Sequence, residues 1–218
     1  MFMFSPLYST QLNEEICEFA GAFIGDGYMG IYGDSKNNYT IGITGDKTLD
    51  KHYFENYLVP LIKRNFPFTN PKIYYRNDEH TILLRIYSKQ LYDFMLELGF
   101  NCGKKSRTVI LPPRIIHYPK FMNCVIRGIF DTDGCLFFDK RKNYNKPYPR
   151  ITLQSSSIEL INQLESYLSN NFTLYVNKSN RNGYRNYLEI YGFSQLETFL
   201  KQIGFSNKRH LDKLKMLL

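Results

Sequence analysis

Two aspartates stand where an apolar stretch runs into a glycine. Asp26 closes Phe19-Ala20-Gly21-Ala22-Phe23-Ile24-Gly25-Asp26-Gly27, and Asp133 closes Ile126-Arg127-Gly128-Ile129-Phe130-Asp131-Thr132-Asp133-Gly134. The offset is 107 residues for the two Asp, for Gly21 and Gly128, and for Cys17 and Cys124, which marks a duplicated helix. Cys17, Gly21 and Gly25 form a stripe at i, i+4, i+8, and Cys124, Gly128 and Thr132 form its match. Small side chains at that spacing let two helix backbones close on each other. Ile16, Phe19, Ala20, Phe23 and Ile24 follow the pattern of a buried helical face, and the glycine after each Asp is suited to ending the helix. Side-by-side packing then brings Asp26 and Asp133 together at one end. Carboxylates so placed repel unless one takes a proton or a cation joins them. Hard oxygen donors of this kind suit magnesium.

The elements that must hold this pair are legible along the chain. Asn13 is positioned to cap the first helix, with Glu14 and Glu15 in its first turn. Short alternating segments at Tyr28–Tyr32 and Tyr39–Thr44 predict two strands. A helix from Leu49 to Phe66, strands at Lys72–Arg76 and Thr81–Tyr87, and a helix ending at Gly99 follow. The order repeats with strands at Cys135–Arg141 and Arg150–Gln154, a helix from Ile158 to Ser169, strands at Leu174–Asn177 and Tyr184–Tyr191, and a helix ending at Gly204. Residues 101–119, with Pro112, Pro113 and Pro119, join the halves, so the chain divides into 1–100, a linker 101–119, and 120–218. Alternation puts Ile82, Leu84, Ile86, Ile151, Leu153, Leu188 and Ile190 against helices. The opposite face carries Arg85, Tyr87, Arg150, Thr152, Gln154, Tyr187 and Glu189. Each half is thus an α+β unit with an antiparallel sheet whose outer face is polar, cationic and aromatic.

Composition agrees with an anionic partner. The 218 residues carry a net charge of +8 and 16% aromatic side chains, which favours nucleic acid, while 43% hydrophobic content is enough for a core. Cys17, Cys102, Cys124 and Cys135 contain no C-x-x-C pair, so reduced thiols in an intracellular setting are expected rather than a zinc site. No apolar run reaches membrane-spanning length, and no signal-peptide pattern opens the chain. His52, His80, His117 and His210 form no metal-binding pattern and are expected on the surface or in packing.

Over roughly residues 14 to 210, these motifs and this element order make the chain similar to the LAGLIDADG homing endonucleases in their single-chain, two-motif form. The resemblance implies a pseudo-twofold αββαββα fold, with the motif helices at the interface and the two sheets forming a saddle on double-stranded DNA. It also implies a monomer with an internal pseudo-dimer, a long asymmetric target site, and magnesium-dependent hydrolysis of both strands across the minor groove, leaving staggered ends. Asp26 and Asp133 correspond to the metal-binding carboxylates, helped by the backbone carbonyls of Gly25 and Thr132; Mn2+ or Ca2+ can occupy the same sites. The family places a lysine near each scissile phosphate. Lys104, beside Lys105, and Lys208, beside Arg209, stand at those places. Gln154 matches a water-ordering position, for which the first half has Gly45-Asp46. The second motif departs from the first in having Asp131 where Ile24 stands.

DNA contacts are expected from hairpin and outward strand positions: Lys36, Asn37, Asn38, Arg76, Arg85, Lys140, Arg141, Lys142, Arg150, Lys178, Arg181 and Arg185. The rival reading keeps the fold and drops the cutting, as in RNA maturases or DNA-binding regulators; retention of both carboxylates favours the nuclease. An intein nuclease domain would carry flanking splicing blocks, which the chain does not show. Gly30-Ile31-Tyr32 and Tyr39-Thr40-Ile41-Gly42 imitate the GIY-YIG nucleases, but the second element is interrupted and the repeat explains both as strands.

Overall fold

The structure is a computed structural model that describes residues 11–33, 37–76, 79–103, 106–140, 147–179 and 186–215. Helix α1 (Glu14–Asp26) starts where expected: the Asn13 side chain accepts the Ile16 N–H at 2.9 Å, and Glu14 and Glu15 occupy the first turn. It leads into β1 (Gly27–Tyr32), which pairs antiparallel with β2 (Asn38–Asp46). The expected helix at 49–66 is present as α2 (Lys51–Tyr53), a π-helical turn (Phe54–Leu58) and α3 (Val59–Asn65) in succession. Strands β3 (Lys72–Arg76) and β4 (Thr81–Tyr87) and helix α4 (Lys89–Glu97) complete the half.

The connection holds a short helix, α5 (Pro113–Ile116), before α6 (Pro119–Thr132) opens the second half. Then come β5 (Gly134–Asp139), β6 (Tyr148–Ser155), α7 (Ile158–Leu168), β7 (Leu174–Asn177), β8 (Asn186–Tyr191) and α8 (Phe193–Gln202). A final helix, α9 (Lys208–Leu214), was not expected from the sequence, nor was α5. The sheets run β1-β2-β4-β3 and β5-β6-β8-β7, all antiparallel, so the expected duplicated α+β architecture is what forms.

The halves meet at α1 and α6. A Cβ added at Gly21 would overlap the Val125 carbonyl, and one at Gly128 would overlap the Glu18 carbonyl and lie 2.6 Å from the Ala22 nitrogen. Cys17 and Cys124 are buried in the same seam, and burial pushes the Cys17 thiol up to about 12. The seam also encloses an ion pair that hydrophobic periodicity could not announce. Glu18, 2% exposed, takes Arg127 Nη1 at 2.9 Å.

Gly27 and Gly134 play a different part from the one their sequence position suggests. Neither adopts the left-handed conformation of a helix-ending glycine; Gly27 is extended, at φ −82°. Each is needed because helix passes into strand with no intervening loop. A side chain there would strike the backbone and ring of Phe23 or Phe130.

Strand register changes one correspondence. Gly27 faces Ile43, and Gly134 faces Leu153, so Ile43 corresponds to Leu153 and Thr44 to Gln154. Five residues separate Tyr32 from its partner Asn38, whereas eight separate Asp139 from Tyr148. The longer second hairpin shifts the repeat by three. The first-half counterpart of Gln154 is therefore Thr44, not Gly45-Asp46.

Candidate metal centre and nucleic-acid interface

Because α1 and α6 run side by side in the same sense, Asp26 and Asp133 open on one cleft of about 690 Å³ between the halves. Asp133 approaches α1 at Gly25, next to Asp26: an ideal Cβ there would overlap the Thr132 hydroxyl and lie 3.4 Å from Asp133 Cγ. Gly25 is small because the Thr132 side chain arrives there. Gln154, Thr44, Gly103 and Ser106 also line the cleft. Thr44 Oγ1 donates to the Asp26 carbonyl at 3.3 Å and so ties the end of α1 to β2. Asp46 turns to another task, accepting the N–H groups of Thr48 and Leu49 at 2.8 Å each.

The donor set fits a hard divalent cation. Two carboxylates converge, and among the described residues no group of three or more His, Cys, Asp or Glu side chains gathers into a closed cage. Such a pair leaves coordination positions for water and phosphate oxygens, as magnesium-type sites at phosphates require.

The remaining expected site residues divide. Thr132 is beside the centre, but its carbonyl accepts from Arg209 Nη2, so a cation there would meet a guanidinium. Lys208 is exposed at the first turn of α9 and does not line the cleft. Lys104 and Lys105 lie outside the described residues. Lys36, Arg141, Lys142, Arg181 and Arg185 also lie outside them.

Asp131, the departure from the first motif, is an anchor rather than a ligand. Fully buried, it accepts the N–H groups of Ser206 at 2.9 Å and Asn207 at 3.0 Å. Burial pushes its carboxyl up to about 8, against the opposing pull of those N–H groups. His210 proves a packing residue, stacked on Phe205 with ring centroids 4.5 Å apart. Burial pushes its imidazole down to about 3.

The outer sheet faces differ in charge. In the first half, Tyr28 lies over Gly42, and its hydroxyl accepts from Arg85 Nε at 3.0 Å, while the guanidinium sits 5.6 Å from the Tyr74 ring centroid. Asn38 shares this surface, and Arg76 pairs with Glu79 at 2.8 Å. In the second half, by register, Glu189 occupies the place of Arg85. Arg150 is enclosed between Asp139, at 3.1 Å, and Glu189, which also accepts from the Tyr187 hydroxyl. Arg150 is therefore neutralised within the sheet, not an open cation. Lys178 is corrected too: it pairs with Glu165 of α7, because alternation after Leu174 and Val176 turns it to the helix side. Asn37 and Lys140 are exposed beside the hairpins.

Comparison with known proteins agrees with this architecture. Residues 120–204 match a family model described as a LAGLIDADG-like domain. A structure of I-DmoI in complex with DNA and Mn aligns with a TM-score of 0.63 at 17% identity, covering 88% of this chain and 96% of that one. The chain has the LAGLIDADG fold. A second LAGLIDADG structure, I-SmaMI bound to cleaved DNA, aligns with a TM-score of 0.58 at 17% identity over 94% of this chain and 87% of that one. In sequence, the chain is 31% identical over 211 residues to the replication factor C small subunit of Methanocaldococcus jannaschii. The match takes in 94% of this chain but spans only 10% of that protein's length. No helix among the described residues is long and apolar enough to cross a membrane.

Proposed function

We propose that this protein is a site-specific homing endonuclease that hydrolyses one phosphodiester bond in each strand of a long asymmetric DNA site, leaving staggered ends. The observation that carries the reading is the convergence of Asp26 and Asp133 on one cleft midway between two outward sheets. I-DmoI with DNA and Mn or Ca, and I-SmaMI with cleaved DNA, support it by their likeness in fold.

Asp26 and Asp133 would hold the divalent cations, magnesium by preference. When bound, such an ion neutralises charge on the phosphate and makes water more acidic. The chain's own groups do the positioning. The sheets carry the duplex so that its narrow groove faces the cleft, and the Gln154 amide and Thr44 hydroxyl stand where they can orient water or a phosphate oxygen. Lys104 or Lys105 would add positive charge at one strand.

Incubating the protein with a randomised duplex library in Mg2+, then sequencing the ends released, should return one long site cut in both strands, with EDTA abolishing the products. Recovery of a tightly bound site that stays intact in Mg2+ and Mn2+ would instead support a non-cleaving RNA maturase or DNA-binding regulator.

The charge asymmetry of the saddle gives a second expectation. Arg85→Ala should weaken binding to nonspecific duplex and reduce the salt slope by about one. Arg150→Ala should cost more, since it leaves Asp139 and Glu189 facing phosphates, and adding Glu189→Gln should recover part of the loss. Anisotropy titrations over a salt series decide it; equal losses for Arg85→Ala and Arg150→Ala, with no recovery, would refute the asymmetry.

A further inference from the structure

The halves are joined by a polar brace as well as by the helix seam. On the first-half side stands Asp50, 5% exposed, between β2 and α2. Its Oδ2 accepts the Asp46 N–H at 2.9 Å, and its Oδ1 accepts from Asn207 Nδ2 at 2.8 Å and faces Arg209 Nη1 at 3.1 Å. On the second-half side, Arg209 Nη2 donates to the carbonyls of Thr132 and of Asp131, the latter at 3.0 Å, and reaches that of Gly134 at 3.4 Å. Those three carbonyls bracket Asp133. From Asp46 the path continues along β2 to Thr44, whose hydroxyl holds the Asp26 carbonyl.

The physical role follows from what a helix end lacks. The last carbonyls of α6 have no partners within the helix and would otherwise turn to water and fray. A guanidinium presents several donors in a fixed plane and carries the charge that suits a helix C-terminus. A lysine, with a single rotating ammonium, could not span the same carbonyls and a carboxylate together. At the end of α1, the Thr44 hydroxyl donates to the Asp26 carbonyl.

We propose that Arg209 and Asp50 are positioning residues, which lock the last turn of α6 onto the first half so that Asp133 meets Asp26 at the spacing a shared divalent centre needs. This rests on the reading of the two aspartates as that centre. The brace grips the backbone around Asp133 directly and reaches Asp26 only through β2, so its loss should slow cleavage of one strand more than the other.

The test is an Mn2+ titration of the protein alone, followed by electron paramagnetic resonance, in wild type, Arg209→Gln, Arg209→Lys, Asp50→Asn and Lys213→Met. Lys213 is the structural control, since its Nζ ties the same helix α9 to the Leu136 carbonyl at 2.9 Å without touching the residues around Asp133. Arg209→Gln should raise the half-saturating Mn2+ concentration about tenfold, on the scale typical of groups that orient metal ligands. Arg209→Lys should rescue little of this, and Lys213→Met should leave the midpoint unchanged even where it lowers thermal stability. DNA affinity in EDTA should stay within about twofold throughout, and on a cleavable site Arg209→Gln should accumulate nicked product. If Arg209→Gln does not fold, Asp50→Asn, which cuts the tether but leaves the guanidinium, reads the same midpoint. A midpoint unchanged or lowered in the brace variants would overturn the proposal. If wild type itself binds no Mn2+, the reading of Asp26 and Asp133 falls, and the brace falls with it.

Discussion

Asp26→Asn or Asp133→Asn is expected to reduce DNA cleavage by on the order of a thousandfold or more, the scale on which a lost preorganised electrostatic contact slows an enzyme. Binding should survive. Each substitution keeps the side chain's size and removes a negative charge that faces phosphates, so affinity in EDTA should be equal to wild type or somewhat tighter. The seam should also be unaffected, because neither carboxylate is buried within it: Asp133 is exposed and Asp26 half-buried at the cleft. Cleavage of the selected site in Mg2+, with binding measured in parallel, checks both halves of the expectation. An Asp133→Asn protein that cuts both strands at the wild-type rate would remove Asp133 from the centre.

The second large effect concerns stability. Gly21→Leu or Gly128→Leu should cost at least about 3 kcal/mol, the upper range for overpacking, because the new side chain meets backbone and not a movable side chain. For a chain of this size that corresponds to a fall in Tm of roughly 6–12 °C. Gly103 supplies the contrast. Its φ of +98° strains any replacement, but nothing lies within 4 Å of an added Cβ, so Gly103→Ala should cost only about 1–2 kcal/mol. Scanning fluorimetry of the three variants would settle the point; a Gly21→Leu protein melting with wild type would mean that the backbones do not approach as closely as described.

Much of the site was legible before the fold. The repeat, the stripe of small residues and the terminal aspartates are local patterns, and a helix writes its faces into the sequence at fixed spacing. Strand alternation likewise put Gln154 on the outer face, and it does line the cleft. Lys178 was misplaced among the DNA contacts, although the same alternation that orients Leu174 and Val176 turns it toward α7. The Thr44 correspondence needed one more datum, the length of the second hairpin, because a constant offset cannot survive an insertion of three residues.

By itself the sequence determined the duplicated helix–strand plan, the seam and the pair of acids, all set by periodicities of a few residues. Only the tertiary structure decided that Arg150 is spent on Asp139 and Glu189, that residues 208–214 form a helix, and that Arg209 and Asn207 reach Asp50. The last two contacts join residues 159 and 157 positions apart. Which charge meets which across such a distance depends on how the elements pack, and no local spacing records it.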